Sequence, residues 1–566
     1  MKINRNERRR VLVVFSVFVL WLVAVIVMLF KIQVFGFNKY LEKIKIQSNR
    51  VMTLHPKRGT IFDSNNEIMS ISILSKSLFI TNKKKSSSLK LLNRIKKKIY
   101  ISNNDKKKIV KRINSGKSFI WIKRKLTGNE YRSVLKIDVK KYLSKFSFVD
   151  EYKRIYPNGE LSGHILGGVG VDEQGLAGLE FSLDSVIMGK GGKISAQIDA
   201  RSKIFKFDYI RERVPGRNIS LTIDSSVQYF VQKELKNTIR KYHARSGSVI
   251  VMDSNDGSIL AMASYPYYNP SNIKYTKPSI VKNNAVSFLY YPGSTFKVIL
   301  AASALKRGVC NLGKMINCYN GSFSINSLKI TDDHPHSELS FREVIIYSSN
   351  IGAAQIGMKI GDSRLYNDIN KFGIGVPLEI RLPAKEKGIL NPLNRWDKYS
   401  AAYISHGYEV YVTPIQMIRA FNVIASGGFM VEPRILNSVD GIVFKKIHKE
   451  RIISESIASD IRDVMIDVVK QGTGKKAFIN GVDIAGKTGT AKKYKRNKFI
   501  DMYVSSFGGF FPAKKPEVTM FVVINEPKGS FYGGDVAAPL FKKIAEKIIV
   551  LREINYPAGK SGVIKL

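Results

Sequence analysis

Three short stretches of this chain carry side chains that can do chemistry together. In Tyr291-Pro-Gly-Ser-Thr-Phe-Lys297 a serine precedes a lysine by three residues. Pro292 and Gly293 predict a turn, and Phe296, Ile299, Leu300 and Ala304 predict a helix that ends at Lys306-Arg307-Gly308. Ser294 and Lys297 then share one face at a helix start, within hydrogen-bonding reach. A serine hydroxyl becomes a nucleophile when a base takes its proton. A buried lysine can be that base, because burial and the field of a helix N-terminus both oppose its charge. Alone the pattern means little, since Ser-x-x-Lys recurs at Ser87–Lys90, Ser133–Lys136 and Ser271–Lys274. Its weight comes from downstream. Tyr347-Ser-Ser-Asn350 places Ser348 54 residues after Ser294, and Gly486-Lys-Thr-Gly-Thr490 places Lys487 139 residues after Ser348. Ser-x-x-Lys, Ser-x-Asn and Lys-Thr-Gly in this order are a strong joint signal.

Each residue has a physical reason to be there. Ser348 can relay a proton between the Lys297 amine and a leaving nitrogen, and Asn350 can hold a substrate amide with both a donor and an acceptor. Lys487, with the Thr488 and Thr490 hydroxyls, makes a donor-rich positive site for a terminal carboxylate, and Gly489 lets substrate approach the strand edge. The backbone N–H groups of Ser294 and Thr490 are candidates for an oxyanion hole.

These residues need a scaffold, and the second half of the chain predicts one. Asp224 caps a helix with Val227, Phe230, Val231, Leu235 and Ile239 at helical spacing. Ser246–Met252 and Ser258–Ala263 flank Asn255-Asp-Gly257 as a hairpin. At the far end, 504–511 and 518–525 are strand-like, and 537–550 is a closing helix. This is a mixed α/β domain whose Phe507–Phe511 aromatics are core positions. Val214-Pro-Gly216 marks a boundary before it.

The chain has 566 residues, 44% of them hydrophobic, enough for two or three cored domains. Residues 11–30 carry no charge and span about 30 Å as a helix, a bilayer core. Arg5, Arg8, Arg9 and Arg10 precede them, so the start stays cytoplasmic and the rest lies outside that membrane. No small-x-small cleavage site follows, which makes the segment an uncleaved anchor. Arg58-Gly and Asp63-Ser-Asn-Asn predict turns around a strand, 75–150 small helices and strands, and the glycines of 167–178 tight turns rather than a phosphate loop. Lys and Arg number 92 against 45 acids, a balance of +47. The lysines scatter through every element, and no recognition helix, finger or aromatic platform gives that charge nucleic-acid specificity. Cys310 and Cys318 allow one bridge or two free thiols.

On these motifs the chain resembles the class B penicillin-binding proteins, membrane-anchored peptidoglycan D,D-transpeptidases. The resemblance runs from the anchor through Arg58-Gly-x-Ile-x-Asp63, Arg154-x-Tyr-Pro157, Gly175-x-x-Gly-x-Glu180 and Tyr265-Pro-x-Tyr-Asn-Pro270 to the three catalytic motifs and Tyr532-Gly-Gly534. It implies a multidomain α/β protein: cytoplasmic tail 1–10, transmembrane anchor 11–30, juxtamembrane segment 31–54, an α+β pedestal of dimerisation type over 55–215, a transpeptidase domain over 216–552 and a tail over 553–566. The transpeptidase domain would have the serine β-lactamase-like fold, a mainly antiparallel sheet flanked by helices. It also implies a serine acyl-enzyme on Ser294, blocked covalently by β-lactams, with no cofactor, and a separate polytopic glycan polymerase among division partners. Lys487-Thr-Gly-Thr-Ala-Lys-Lys493, Tyr532-Gly-Gly-x-Val-Ala-Ala-Pro-x-Phe541 and the short pedestal are most similar to the division (septal, FtsI-type) branch, which places the protein at the inner-membrane septum with a periplasmic catalytic domain.

Rival readings are an elongation-type transpeptidase, a division scaffold, a β-lactam sensor and a class A β-lactamase. The last needs a deacylating glutamate, and Glu386-Lys-Gly-Ile-Leu-Asn391 has one residue too many for it. His334-Pro-His336, after Asp332-Asp333 and near Glu338, reads as a loop or cleft rim rather than a metal site.

Overall fold

The computed structural model describes residues 5–38, 49–82, 84–117, 119–138, 145–198, 204–325, 328–444, 449–495 and 498–554. Residues 1–4 and 39–48, and all but two residues of the expected C-terminal tail, lie outside them. The chain divides into two compact units, Met1–Pro56 with Gly189–Pro215, and Lys57–Met188 with Gly216–Leu566.

In the first unit the apolar run forms the helix Arg5–Phe30, continued by a wider π turn over Lys31–Phe35. Among the described residues it is the one helix long and apolar enough to cross a membrane. The same unit holds a three-stranded antiparallel sheet, with Gly192–Ile198 between Asn49–Leu54 and Ile204–Arg211.

In the second unit, one sheet links the pedestal sequence to the later part of the chain. Ile219–Leu221 pairs in parallel with Ile61–Phe62 on one side and antiparallel with Leu436–Val439 on the other. Ile61–Phe62 in turn pairs with the long strand Ile68–Thr81, which is matched along Lys145–Ile155 and, at its end, by Phe119–Lys123. Leu78, Ile80, Ile120 and Ile122 alternate toward the helices Lys85–Lys96, Asn103–Asn114 and Gly128–Leu135. Thr127 and Glu130 close a reciprocal capping box at the last of these helices.

The three pedestal motifs meet at a buried charge cluster. Arg58 donates to Glu180 from Nε and Nη2 at 3.0 and 2.7 Å, and Arg154 donates from Nε at 2.6 Å to the other carboxylate oxygen. Arg58 and Glu180 are fully buried. Burial alone raises the Glu180 carboxyl, but the Arg154 and Arg58 charges outweigh it and hold it below the usual range. Arg58 also reaches Asp184 at 2.6 Å, and Arg154 the Gly59 carbonyl at 2.7 Å, so four segments are tied at one point. Removing one partner of a buried ion pair leaves the other uncompensated, so Glu180→Ala should cost about 3–5 kcal/mol of stability. Thermal and denaturant unfolding of the purified protein measures it. Stability equal to the parent would show that the cluster holds nothing together.

The catalytic sheet has five strands in the order Ile259–Tyr265, Ser246–Asp253, Val518–Asn525, Lys498–Phe511, Ala485–Lys495, every neighbour antiparallel. Both faces are covered, so Ser246–Asp253, Ile259–Tyr265 and Val518–Asn525 are buried almost throughout, and period two shows only as a division between two cores. Val249, Val251, Met520 and Val522 face the helices Ser225–Lys241 and Gly533–Leu551. Ile250, Met252, Phe521 and Val523 face the opposite core, which holds Lys297–Lys306, Pro414–Ala425 and Glu455–Lys470. The hairpin at Asn255-Asp-Gly257 turns through Gly257 at φ +75°, where a Cβ would lie 2.3 Å from the Glu432 carbonyl. Both cysteines are free thiols, Cys318 buried and Cys310 half-buried, so the alternative of a bridge falls away.

Candidate active site

The nucleophile motif folds as a tight 3-10 turn, Gly293–Phe296, running into the α-helix Lys297–Lys306. Gly293 has φ +55°, and a Cβ there would lie 2.7 Å from the Thr490 carbonyl, so the turn sits directly against the Lys-Thr-Gly strand. Behind it, Gly407 presses as closely, since its Cβ would meet the Gly293 carbonyl oxygen at 2.1 Å. The Phe296 ring is fully buried in the core, which anchors the turn from below.

Lys297 Nζ lies 3.1 Å from Ser294 Oγ, 2.8 Å from Asn350 Oδ1, 2.5 Å from the Ser348 carbonyl oxygen and 3.4 Å from Ser348 Oγ. Burial lowers its pKa to about 7, against an opposing pull from Asp332 and Asp333. A large fraction of the amine is therefore neutral near pH 7, the state a general base requires. Lys487 Nζ donates to Ser348 Oγ at 2.9 Å and to the Thr488 carbonyl at 3.2 Å. The Ser348 hydroxyl thus bridges two buried amines. Burial first, and the Lys297 charge second, push Lys487 well below a normal lysine. This refines the expectation of a standing positive site: two ammonium groups sharing one hydroxyl repel each other, and an arriving carboxylate supplies the counter-charge that restores the second one.

Ser348 sits between the helices Phe341–Ile346 and Asn350–Ile360 at φ +66°, an uncommon conformation for a non-glycine residue. Asp332 holds the strained link. Its Oδ1 accepts from the N–H groups of Asn350 and Ile351 at 2.5 and 3.1 Å, and its Oδ2 from Ser349 Oγ at 2.5 Å. A carboxylate there also meets the positive end of the helix. Asn350 Oδ1 accepts from Lys297 and its Nδ2 donates to the Thr331 carbonyl at 3.1 Å. The amide retains one further lone pair and one further N–H for a substrate.

Gly489 has a packing reason as well. A Cβ would strike Ser506 Oγ at 2.5 Å and the Pro292 carbonyl at 2.8 Å, so the turn packed against the strand requires glycine here. Thr490 Oγ1 accepts from the Gly533 N–H at 2.9 Å and Thr488 Oγ1 pairs with Thr473 Oγ1 at 2.6 Å, so each hydroxyl is oriented by a neighbour.

Asp332, Thr473 and His406 belong to the site but not to the motifs. In the sequence Asp332 stands in a loop beside two histidines, and its helix-capping role shows only once residues 332 and 350 are adjacent. For Thr473, the flanking Gly472 and Gly474 were a usable signal, because Gly472 lies where a Cβ would meet the Ile346 carbonyl at 2.5 Å. His406, buried behind the nucleophile turn and bonded through Nδ1 to the Ala402 carbonyl at 2.8 Å, is pushed down to about 3 by burial and by Lys297, and stays neutral. Tyr291 stacks on Tyr411 at 4.3 Å and leans on Tyr408, forming an aromatic wall beside Ser294. The His336 ring stacks on Tyr347, and among the described residues no three metal-type ligands cluster.

A serine within hydrogen-bonding distance of a buried lysine, a second lysine across a bridging hydroxyl and an antiparallel sheet between two helical layers match a class of serine acyltransferases. The family model for the penicillin-binding protein transpeptidase domain matches residues 247–546, and that for the penicillin-binding protein dimerisation domain matches 53–221. The probable peptidoglycan D,D-transpeptidase PenA of Neisseria meningitidis is 31% identical over 507 residues, 88% of this chain and 84% of the relative. The peptidoglycan D,D-transpeptidase FtsI of Escherichia coli is 33% identical over 416 residues, 73% of this chain and 70% of the relative. The solved structure of penicillin-binding protein 3 from Mycobacterium tuberculosis, complexed with aztreonam, shares the fold at a TM-score of 0.69 and 24% identity, over 90% of this chain and 98% of that one. The chain belongs to the class B penicillin-binding proteins and is a peptidoglycan D,D-transpeptidase.

Proposed function

We propose that the protein cross-links stem peptides during septal wall synthesis, with Ser294 as nucleophile and Lys297 as its base. The observation that carries the assignment is the Lys297 amine, buried, depressed to about 7 and 3.1 Å from Ser294 Oγ. Neutral Lys297 takes the Oγ proton as the oxygen attacks the penultimate D-Ala carbonyl, while the N–H groups of Ser294 and Thr490 receive the developing oxyanion. The C–N bond breaks, and the proton passes through Ser348 to the departing terminal D-Ala nitrogen, leaving an ester on Ser294. The amine of a neighbouring stem's diamino acid then attacks the ester in a 4,3 cross-link. It gives its proton to Lys297, and Ser294 Oγ recovers a proton on leaving. Asn350 holds the stem amide, and Lys487 with Thr488 and Thr490 holds the terminal carboxylate. A β-lactam would follow the first half of this path and stop at the ester. Serine and lysine supply nucleophile and base, so the step needs no cofactor.

In this reading residues 55–215 are the pedestal, 216–552 the catalytic domain and 11–30 a single inner-membrane span with a cytoplasmic N-terminus and periplasmic bulk, as the basic start favours. The septal role is supported by Lys487–Lys493 and Tyr532–Phe541 and by similarity to the FtsI relative. Trp21, midway along the span, suggests packing against the helix of a polytopic glycan polymerase, since tryptophan ordinarily favours the membrane interface. Replacing residues 11–30 with an unrelated apolar span should leave fluorescent-penicillin labelling intact and disperse the label from midcell. A swapped protein that still concentrates at midcell and supports division would reduce the segment to an anchor. Label spread along the lateral wall in the parent would favour the elongation role.

A further inference from the structure

We propose that the paired pedestal helices Lys85–Lys96 and Asn103–Asn114 form a binding surface for the carboxylates of the polymer that this enzyme cross-links, separate from the catalytic cleft. The inference builds on the transpeptidase activity and assigns the pedestal a substrate contact of its own.

The surface differs from the general lysine excess. Residues 85–117 contain 10 Lys and 2 Arg against a single acid, Asp105, whereas the chain as a whole has 92 basic and 45 acidic residues. The helices bury Leu91, Leu92, Ile95, Ile109 and Ile113 on one side, so the charges are sorted onto the other. Within the helices Lys90 and Arg94 stand at i,i+4, as do Lys107 with Lys111 and Lys108 with Arg112, and all of these are exposed. Like charges at that spacing destabilise a helix. Among the described residues none of these side chains forms an ion pair, and the pedestal carboxylates Asp150, Glu130 and Glu151 pair instead with Lys76, Lys123 and Arg124. Asp105 is engaged by Ser102 at the start of its own helix. A helix pair that retains uncompensated repulsion is matched by negative charge from outside the chain.

The residue types narrow the choice of ligand. Protein interfaces are enriched in arginine and aromatic side chains and depleted in lysine. This face is lysine-dominated. Flexible point charges suit a ligand with repeated, loosely held carboxylates better than a shape-complementary partner. An open depression of about 680 Å³ runs along the second helix, lined by Asn103, Lys106, Lys107, Val110, Lys111 and Asn114. The Asn103 and Asn114 amides stand at its two ends with three ammonium groups between them, groups that suit a peptide bearing carboxylates and backbone amides.

Full-length protein in detergent, acylated with penicillin so that the catalytic cleft is occupied, is sedimented with purified insoluble peptidoglycan. Lys106→Glu, Lys107→Glu and Lys111→Glu together should weaken binding by about 10-fold or more at low salt, with the difference disappearing at high salt. Lys514→Glu, Lys515→Glu and Lys528→Glu, which change net charge equally at exposed positions at the two ends of the strand Val518–Asn525, should leave binding unchanged. Amidating the carboxylates of the peptidoglycan should abolish the contribution of the patch. Penicillin labelling at an unchanged rate establishes that each variant is folded. Equal binding by the patch variant, or equal loss in both triple variants, overturns the proposal. So does patch-dependent capture by phosphatidylglycerol vesicles without capture by peptidoglycan, which makes the surface a lipid contact. Each of these outcomes leaves the transpeptidase activity standing if the parent still labels with penicillin.

Discussion

Ser294→Ala should abolish covalent labelling by penicillin and cross-linking of stem peptides, while leaving the fold unchanged. The substitution removes one oxygen from a half-buried position and no bond that holds the turn, because Thr295 Oγ1 makes the turn's internal contact to the Pro292 carbonyl at 2.8 Å. Losing the nucleophile of a serine acyl-transfer enzyme costs on the order of 10⁶ in turnover. The other Ser-x-x-Lys pairs serve as internal controls. Lys90, Lys136 and Lys274 are exposed, whereas Lys297 is fully buried. Ser87→Ala and Ser271→Ala should therefore label as the parent does. Mass spectrometry locates the adduct, and a drug ester on any serine other than Ser294 would sink the assignment.

Lys487→Ala should lower acylation by penicillin and by stem peptide together, by at least ~100-fold, since deleting one partner of a buried charge contact typically costs several kcal/mol. Both acylating agents carry a carboxylate one step beyond the scissile carbonyl, and no carboxylate among the described residues pairs with the Lys487 amine. Among the described residues it donates to Ser348 Oγ and to the carbonyl and hydroxyl of Thr488. The loss should shrink sharply for a substrate whose terminal carboxylate is converted to an amide, because that analogue gives Lys487 nothing to pair with. An acylation rate within about threefold of the parent, too small for a lost buried contact, would remove Lys487 from this role. An equal loss on the amidated substrate would instead assign the effect to the Ser348 bridge.

Several features were legible from the chain because they depend on neighbours in sequence. The apolar run of 11–30, the capping residues of the helices, the hairpin at Asn255-Asp-Gly257 and the turn before Ser294 are local patterns, and each appears in the structure where the pattern puts it. The order and spacing of Ser294, Ser348 and Lys487 pointed to one site although the residues lie far apart, because each stands in a short motif of its own. The pedestal motifs were visible as strings without a reason. Arg58 and Glu180 are separated by 122 residues, and nothing local shows that they form one buried ion cluster.

Sequence alone determined which chemical groups the protein brings to its reaction, a serine, two lysines and a bridging hydroxyl, and that an apolar span precedes them. Tertiary structure decided how those groups behave. The neutral amine of Lys297 near pH 7 comes from desolvation by residues remote in sequence, and the depressed Lys487 from burial and the proximity of Lys297 across the Ser348 hydroxyl. The geometry of Ser348 and Asn350 rests on the Asp332 carboxylate, and Gly489 is required by the turn packed against it. Covalent pattern specifies which groups are present. Charge state and orientation depend on what surrounds each group in space, and only the folded chain supplies that.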